Sequence, residues 1–452
     1  MTISTKAFGA YDLRGIYPDE VNEELYYRIG RVFPGLFAAR KVAVGHDIRL
    51  SGTALSEALI KGLTEAGCEV MDIGLCGTEM IYHAAGKIDG GLMVTASHNP
   101  KEYNGLKLVR AGAVPLTKEE LKALAAAVQE EAELPYAVEV PAKAEKVDML
   151  DDYLQRILSF VDVKALKPLR IVANSGNGSA GPVLEALAKC LPFEIIPVYG
   201  EPDGSFPHGV PNPLLPENRE VTAQAVLEHK ADFGVAWDGD FDRCFLYDEK
   251  GHFIEGYYMV GFLAQAFLEK NTGAKVVYDP RCIWNTIELV ETAGGEPVVC
   301  KGGHAFIKAK MREVDAVYGG EMSAHHYFRD FSYCDSGMIP WLLVSELLSR
   351  KGKNLSALLG ERMDKFPVSG EINTKLESVD MAVGIMEKAE SVYGREAREI
   401  LHIDGLSVDM GDWRFNLRRS NTEPLIRLNV ETRGNVALCQ AKTEELLSLI
   451  RK

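Results

Sequence analysis

The feature that most constrains the fold is an alternation of short apolar runs with longer amphipathic stretches. The runs KVAVG (41–45) and EVMDIG (69–74) have the length of buried strands, and SGTALSEALIKGLTEAG (51–67) between them has the pattern of an amphipathic helix. A further run, GGLMVTAS (90–97), ends in a loop. Strands that alternate with helices usually lie parallel in one sheet, with the helices covering its faces. We therefore predict a largely parallel sheet here.

The same alternation restarts twice further along the chain. LRIVANSGNG (169–178) predicts a strand followed by a glycine-rich turn, and ADFGVAWDGD (231–240) predicts a later strand of the same cycle. A third cycle begins near residue 256. The tail after FPVSGEI (366–372) differs, because a helix is followed by strands that can pair in antiparallel fashion. Three α/β cycles and an α+β tail are the expected organisation.

Length and charge exclude several classes of protein. A chain of 452 residues is long enough for two to four domains. A net charge of -15 argues against nonspecific binding to nucleic acid or to an anionic membrane. If the substrate is anionic, its positive binding site must therefore be local. The eight cysteines form no CxxC pair, and no signal-like or membrane-length apolar segment is found, so we expect reduced thiols and a cytoplasmic location.

A group of carboxylates follows the predicted strand that ends near residue 237. Asp238, Asp240 and Asp242 alternate in WDGDFDR. They would repel one another unless a cation lies between them, and oxygen ligands without His or Cys favour a hard ion such as Mg²⁺. An EF-hand loop is excluded, because Arg243 stands where the sharp turn needs glycine. A solvated acidic turn is the alternative, but the apolar run FGVAW before it argues against full exposure.

Ser97 follows another predicted strand, within TASHNP (95–100). It could be a nucleophile, with His98 and Asn99 stabilising an added phosphate. It could also only cap a turn that Asn99 and Pro100 continue, which is the more common role for such residues. The residue types alone do not decide between the two.

RRSNTEPLIR (418–427) is the local positive cluster that an anionic substrate would need. It contains, in order, Arg418, Arg419, Ser420, Asn421, Thr422 and Arg427. Guanidinium groups, hydroxyls and turn amides together can bind a phosphate group. An ordinary hairpin turn with surface arginines is the alternative.

Other polar side chains lie near predicted loops. Glu321 and Ser323 are two residues apart in GEMSAHH, so on extended backbone they point the same way and could bind adjacent sugar hydroxyls. Glu321 could equally be a structural hydrogen-bond acceptor. His304 in GGH is either an acid/base group or a turn histidine. For Arg14 in YDLRG and Arg49 in HDIRLSG, an exposed and solvated side chain is the expectation.

Taken together, these segments resemble the α-D-phosphohexomutase family in their order and spacing, over essentially the whole chain. The segments are AYDLRG, GHDIRLSG, TASHNPKEYNGLK, DGDFDR, GGH, GEMSAH and RRSNTEP. The resemblance implies four domains around a central cleft. Three related α/β domains with mixed sheets would span 1–150, 151–254 and 255–366, and an α+β domain like the TATA-binding-protein fold would span 367–452.

The resemblance also implies roles for individual residues. Ser97 would carry the transferred phosphoryl group, and its oxygen would complete one Mg²⁺ site with Asp238, Asp240 and Asp242. The residues implied to be catalytic are Ser97, Lys107, His304 and Arg14, of which Arg14 and Lys107 would contact the reacting phosphoryl and Lys107 or His304 would move protons. The residues implied to bind substrate are Glu321, Ser323, His325, Arg281, Arg418, Ser420, Asn421, Thr422 and Arg427.

Within the family, GEMSAHHYFRDFSYCDSGMIP resembles the loop of bacterial phosphomannomutases. The expected activity is interconversion of mannose 6-phosphate and mannose 1-phosphate through a hexose 1,6-bisphosphate, which would also be an activator. A dual phosphomannomutase/phosphoglucomutase is the alternative within the family. A metal-dependent phosphatase, a glycosyltransferase and a sugar-phosphate binding protein are the alternatives outside it. The expected partners are hexose phosphates only, with no nucleic acid or membrane, in a monomer or weak homodimer.

Overall fold

A computed structural model describes residues 4–9, 11–130, 138–419 and 424–451 of the chain. The chain divides into two compact units. The first comprises Met1–Phe253 and His325–Gly352, and the second comprises Ile254–Ala324 and Lys353–Lys452.

The first sheet of the first unit is mixed. Its strands are β1 (Leu13–Ile16), β2 (Lys41–His46), β3 (Glu69–Leu75), β4 (Gly90–Val94), β5 (Tyr103–Arg110), β6 (Val114–Pro115) and β7 (Ala144–Lys146). The accompanying helices are α1 (Glu23–Phe37), α2 (Gly52–Glu65), α3 (Thr78–Ala85) and α4 (Lys118–Gln129). The strand order is β1-β5-β4-β2-β3-β7, with β2 parallel to β3 and β4 and with β5 antiparallel to β1 and β4. The predicted strands β2, β3 and β4 and the helix α2 are confirmed.

Local sequence explains where these helices begin and how closely they pack. Asn22 accepts a hydrogen bond from the amide of Leu25 at the start of α1, and Thr117 forms a capping box with Glu120 at the start of α4. Helices α1 and α2 pack so closely that a Cβ on Gly62 would lie 2.1 Å from the carbonyl oxygen of Tyr27. Glycine is therefore required at position 62, and Leu25 of α1 and Leu55, Leu59 and Leu63 of α2 belong to the buried core.

The second sheet of this unit is also mixed. Its strands are β8 (Arg170–Asn174), β9 (Glu194–Val198), β10 (Phe233–Trp237), β11 (Cys244–Tyr247) and β12 (Phe253–Ile254), and its helices are α5 (Leu150–Leu158), α6 (Ala180–Ala188) and α7 (Glu220–His229). Strand β8 is parallel to β9 and β10, whereas β10 is antiparallel to β11. The chain therefore reverses direction at residues 238–243, where the three aspartates lie.

The second unit begins with a third α/β cycle. Its elements are α8 (Gly256–Leu268), β13 (Lys275–Tyr278), α9 (Trp284–Thr292), β14 (Glu296–Val299), α10 (His304–Val314) and β15 (Tyr318–Gly320). Strand β13 is parallel to both β14 and β15. The chain then returns to the first unit with β16 (His326–Phe328), β17 (Cys334–Asp335) and α11 (Met338–Lys351), where β16 and β17 are antiparallel.

The C-terminal part of the second unit is antiparallel. It contains α12 (Leu355–Lys365), β18 (Ile372–Lys375), α13 (Val379–Tyr393), β19 (Glu399–Leu401), β20 (Leu406–Asp409), β21 (Trp413–Arg419), β22 (Leu425–Thr432) and α14 (Val436–Ile450). The sheet order is β18-β22-β21-β20-β19, with every pair antiparallel. The predicted contrast between mixed sheets and an antiparallel tail is confirmed. Among the described residues, no helix combines the length and apolar character needed to cross a membrane.

Candidate active site

Ser97 lies in the loop between β4 and β5, and its backbone is unusual. Its φ is 50°, in the left-handed region that side chains other than glycine rarely adopt. Its amide donates to Thr95 Oγ1 at 2.9 Å, and its hydroxyl donates to Asp238 Oδ2 at 2.6 Å. The serine is 3% exposed. A serine that only caps a surface turn would have neither this burial nor this carboxylate partner.

Arg49 fixes the shape of the Ser97 loop. Its guanidinium donates to four backbone carbonyls between 2.6 and 2.9 Å away, those of Ser97, Asn99, Pro100 and Tyr103. Arg49 is 3% exposed, so the expectation of a solvated side chain was wrong. The reason is the loop itself, because its inward-pointing carbonyls need donors once they are removed from water.

Arg14 contacts the same loop from β1. It donates to the carbonyl of Ala96 at 3.0 Å and to Asn99 Oδ1 at 2.5 Å, while Asp12 pairs with its Nε at 3.0 Å. Its side chain keeps 25% exposure. The expectation of a fully solvated arginine was therefore wrong here as well, although part of the guanidinium can still reach a ligand.

The three aspartates after β10 converge. One carboxylate oxygen from each of Asp238, Asp240 and Asp242 lies within 4.8 Å of the others, and all three residues are at most 1% exposed. Oδ1 of Asp240 and Oδ1 of Asp242 are buried and accept no hydrogen bond. A solvated acidic turn is thereby ruled out. Buried carboxylate oxygens that lack donors suit a hard divalent cation, so the residues present fit the predicted metal.

Lys107 brings a positive charge into this acidic cluster. It lies on β5, and its ammonium is 2.6 Å from both Asp240 Oδ2 and Asp242 Oδ2. Burial lowers the pKa of Lys107, but the attraction of the two carboxylates outweighs it and the pKa is raised. Burial also raises the pKa of Asp242, as does the neighbouring charge of Asp240. The cluster therefore carries more negative charge than Lys107 alone can balance.

Arg243 is a site residue that was not assigned from the sequence. Its Nε donates to Asp238 Oδ2 at 2.8 Å, and its Nη2 lies 3.3 Å from Ser97 Oγ and also donates to His98 Nδ1. Burial, followed by the charge of Arg243, lowers the pKa of His98, so this imidazole is neutral. Arg243 thus links the serine to the acidic cluster.

His325 belongs to the same unit. Its Nδ1 is 2.8 Å from Asp335 Oδ2 and 3.9 Å from Asp242 Oδ1. The structure thus brings together, in the first unit, six of the residues predicted as catalytic, metal-binding or substrate-binding, and Arg14 contacts the adjoining loop. These six are Ser97, Lys107, Asp238, Asp240, Asp242 and His325.

The second unit brings together another group of the predicted residues, around Arg281. Arg281 pairs with Asp279 through two hydrogen bonds of 2.8 and 2.9 Å. Its guanidinium also donates to Ser323 Oγ at 3.2 Å and lies 3.6 Å from Glu321 Oε2. Glu321 in turn accepts from the amide of Gly303 at 2.9 Å. The side chain of Ser323 therefore lies beside a buried arginine.

Arg418 and Arg427 lie on the paired strands β21 and β22, directly opposite each other. Both are beside Glu371, at 3.0 Å for Arg418 Nη2 and 3.7 Å for Arg427 Nη1. Asp404 lies 3.5 Å from Arg418. His304 is the first residue of α10. The predicted site residues Ser420, Asn421 and Thr422 lie outside the described part of the chain.

Four family models match consecutive parts of the chain. Three are the α/β/α domains of phosphoglucomutase/phosphomannomutase, with domain I over residues 5–135, domain II over 151–251 and domain III over 255–366. The fourth is the C-terminal domain of the same proteins, over residues 371–446. The chain belongs to the phosphoglucomutase/phosphomannomutase family.

Individual relatives are also similar to this chain over nearly their whole length. A protein of Xanthomonas campestris pv. campestris named "Phosphohexose mutases" is 56% identical, with coverage of 98% of this chain and 99% of the relative. The phosphomannomutase of Escherichia coli K12 is 52% identical with the same coverage. A solved phosphoglucomutase/phosphomannomutase family protein from Burkholderia thailandensis is 31% identical, covers 99% and 98% of the two chains, and superposes with a TM-score of 0.88.

Several residues of this family member contact the predicted site residues but were not assigned from the sequence. They are Thr78, Arg243, Asp279, Asp335, Glu371 and Asp404. Arg243 could have been found, because it ends the acidic motif and a cluster of three carboxylates needs cations nearby. Asp279 could also have been found, because it stands two residues before Arg281. The remaining four contact residues that are distant in sequence, and the fold brings them to the site.

Proposed function

We propose that this member of the family is a phosphomannomutase that interconverts mannose 6-phosphate and mannose 1-phosphate. The observation that carries the proposal is the position of Ser97, whose hydroxyl is 2.6 Å from Asp238 and 3.3 Å from Arg243 beside the acidic cluster. The choice of sugar is supported by relatives from Escherichia, Salmonella and Vibrio at 50–52% identity, each named phosphomannomutase.

In the proposed reaction, phosphoserine at position 97 donates its phosphoryl group to the free hydroxyl of a mannose phosphate. The bond between phosphorus and Ser97 Oγ breaks, a bond to the sugar oxygen forms, and a hexose 1,6-bisphosphate results. The bisphosphate turns over and returns its other phosphoryl group to Ser97, which completes the cycle. Such a transfer needs positioning and neutralisation of charge more than any further covalent chemistry.

The residues of the first unit suit the transfer step. Lys107, Arg14 and Arg243 present positive charge to phosphoryl oxygens, and Arg49 holds the loop that orients the serine. A Mg²⁺ ion bound by Asp238, Asp240, Asp242 and an oxygen of the phosphoserine would neutralise charge on the transferring group. We assign the proton released by the sugar hydroxyl to His304, because Lys107, whose pKa is raised, already carries its proton and acts as a positive charge. His325 lies near the sugar.

The residues of the second unit suit recognition. We assign Glu321 and Ser323 to the sugar hydroxyls, and Arg281, Arg418, Ser420, Asn421, Thr422 and Arg427 to the phosphate that is not being transferred. The wider proposal includes hexose 1,6-bisphosphate as an activator, a cytoplasmic monomer or weak homodimer without nucleic acid, and domains at 1–150, 151–254, 255–366 and 367–452.

The decisive experiment combines mass spectrometry with turnover. Purified protein should carry a partial phosphoryl mass on the peptide that contains Ser97, and Ser97→Ala should lose both this mass and most of the turnover of mannose 1-phosphate. Ser391→Ala, which changes an exposed serine of α13, is the matched control and should retain both. Phosphate found on an aspartate, with Ser97→Ala fully active, would identify a phosphatase instead.

The sugar is tested separately. Turnover of mannose 1-phosphate is compared with that of glucose 1-phosphate, with a trace of bisphosphate present in both assays. Preference for mannose supports the proposal, whereas equal kcat/KM values would identify a dual-specificity enzyme.

A further inference from the structure

Glu371 is surrounded by the arginines to which we assign phosphate binding. It precedes β18, and its Oε2 is 3.0 Å from Arg418 Nη2 and 3.2 Å from Arg281 Nη1. Its Oε1 is 3.7 Å from Arg427 Nη1. One carboxylate is therefore shared by three guanidinium groups that come from three different segments of the second unit.

The arginines of this cluster, defined as Arg281, Arg418, Arg427, Glu371, Asp279 and Asp404, are already compensated: its three carboxylates match its three guanidinium groups, and Glu321 lies a further 3.6 Å from Arg281. Asp279 pairs with Arg281 and Asp404 lies beside Arg418, so Glu371 supplies the third negative charge. Burial raises the pKa of Glu371, but the three arginines outweigh it and hold the pKa at about 2. Glu371 is thus ionised at neutral pH, and it presents the negative oxygens that a phosphate group would present to the same donors.

A guanidinium can direct a given pair of N–H groups at only one anion. Asp279 takes Nε and Nη2 of Arg281, whereas Glu371 takes Nη2 of Arg418, which is one of the more exposed members of the cluster at 16%. A phosphate that approaches Arg418 and Arg427 must therefore displace Glu371 or share these donors with it. Either way, two like charges are brought together, which weakens phosphate binding.

We propose that Glu371 is a positioning residue that competes with the nonreacting phosphate of the substrate for Arg418 and Arg427, and so limits how tightly that phosphate is held. The proposal rests on the proposed function, because the bisphosphate must release this phosphate before it can present its other end. When the phosphate departs, Glu371 returns to the arginines. Their charges are then never left uncompensated in a partly buried site, which would otherwise oppose release.

A purely structural role makes the opposite prediction. If Glu371 only held the arginines in place, its removal would disorder them and weaken phosphate binding. If it competes, its removal strengthens binding. The sign of the change in affinity therefore separates the two roles.

The experiment uses Glu371→Gln, which keeps the size of the side chain and removes its charge. Calorimetry on the full-length protein measures the Kd of inorganic phosphate, and of mannose 1-phosphate in a Ser97→Ala background that cannot turn over. We expect both ligands to bind roughly 10-fold more tightly. In the active protein KM and kcat should both fall, because release becomes slower. Glu377→Gln, which changes an exposed glutamate of the same segment, should alter neither quantity.

A double-variant cycle localises the effect. Arg418→Ala alone should weaken phosphate binding, and in that background Glu371→Gln should bring much less gain. An unchanged or weaker affinity of Glu371→Gln for inorganic phosphate overturns the proposal. If the wild-type protein turned over no mannose phosphate, the proposed function would fail, yet the comparison with inorganic phosphate would still decide the role of Glu371. If Glu371→Gln does not fold, Glu371→Asp is used instead. Its side chain is one methylene shorter, so its carboxylate lies farther from the arginines, and this variant must also bind phosphate more tightly.

Discussion

Lys107 in the first unit and Glu371 in the second are single charges, each surrounded by several charges of the opposite sign. Lys107 lies between Asp240 and Asp242, at 2.6 Å from each. Glu371 lies among Arg281, Arg418 and Arg427, at 3.0 to 3.7 Å. Like charges can be buried together only with such a counter-charge. In both clusters the protein supplies one from its own side chains.

The two clusters differ in exposure and in how far their charges are compensated. The aspartates of the first unit are fully buried on a short connection between β10 and β11, and their three carboxylates outnumber the two cations paired with them, Lys107 and Arg243. In the second cluster, carboxylates already compensate all three arginines, and Arg427 keeps 30% exposure. The first cluster therefore still needs a cation. The second can bind a phosphate only if that phosphate replaces the carboxylate of Glu371 at the arginines. The predictions below test this difference.

The largest effect is expected from Lys107→Met, which removes the internal cation. Loss of one partner of a buried charge pair typically lowers the free energy of unfolding by about 3–5 kcal/mol. Saturating Mg²⁺ should recover much of this loss, because a ligand that binds only the folded state stabilises it. Thermal melts in chelator and in Mg²⁺ measure both values. Lys101→Met, at an exposed position, is the control, and equal stability of Lys107→Met in chelator and in Mg²⁺ would contradict a cation site.

Asp240→Asn should have the next largest effect, and on activity rather than on folding. A metal that loses a charged ligand gives up several kcal/mol of transition-state stabilisation, so kcat should fall by roughly 100-fold or more. The melting temperature in chelator should fall less than that of Lys107→Met, because Lys107 keeps Asp242 as a partner at 2.6 Å and the repulsion between Asp240 and Asp242 is relieved. Asp151→Asn, at an exposed position in α5, is the control. Full activity of the wild type in chelator would exclude the metal.

Residues of the first cluster could be predicted from the sequence because each stands directly after a predicted strand. Ser97 follows β4, and Asp238 follows β10, so both lie at carboxyl ends of strands in mixed α/β sheets, where binding loops are found. The apolar run before Asp238 also indicated its burial. The spacing within each motif was therefore enough to predict the acidic cluster, and the family resemblance added Lys107.

The sequence around Arg49 and Glu371 does not indicate the contacts that these two residues make. Arg49 is buried because it donates to carbonyls some 50 residues away, and nothing in HDIRLSG distinguishes it from a surface arginine. Glu371 meets Arg281 and Arg418 across 90 and 47 residues, and SGEI around it carries no other charge. Such contacts depend on how strands from separate segments pair. Composition and periodicity therefore could not have predicted them.

The smallest expected effect is on the pH dependence of the free energy of unfolding, to which Glu371 contributes. The pKa of Glu371 is about 2 in the folded protein and 4.5 as the reference value, so the unfolded chain takes up this proton first as pH falls. The stabilisation is therefore present above about pH 4.5 and is lost as pH falls towards 2.

After a discount for partial exposure, we expect it to be on the order of 2 kcal/mol at pH 7. In urea unfolding, wild type should exceed Glu371→Gln by this amount at pH 7, and the gap should close near pH 2–3. For Lys107, whose pKa is raised, the sign is reversed, so its own deprotonation should remove its contribution only above its reference value of 10.5. A gap for Glu371→Gln that stayed constant from pH 7 to pH 3 would mean that the arginines do not hold this carboxylate in its charged form, and the parallel between the two clusters would fail.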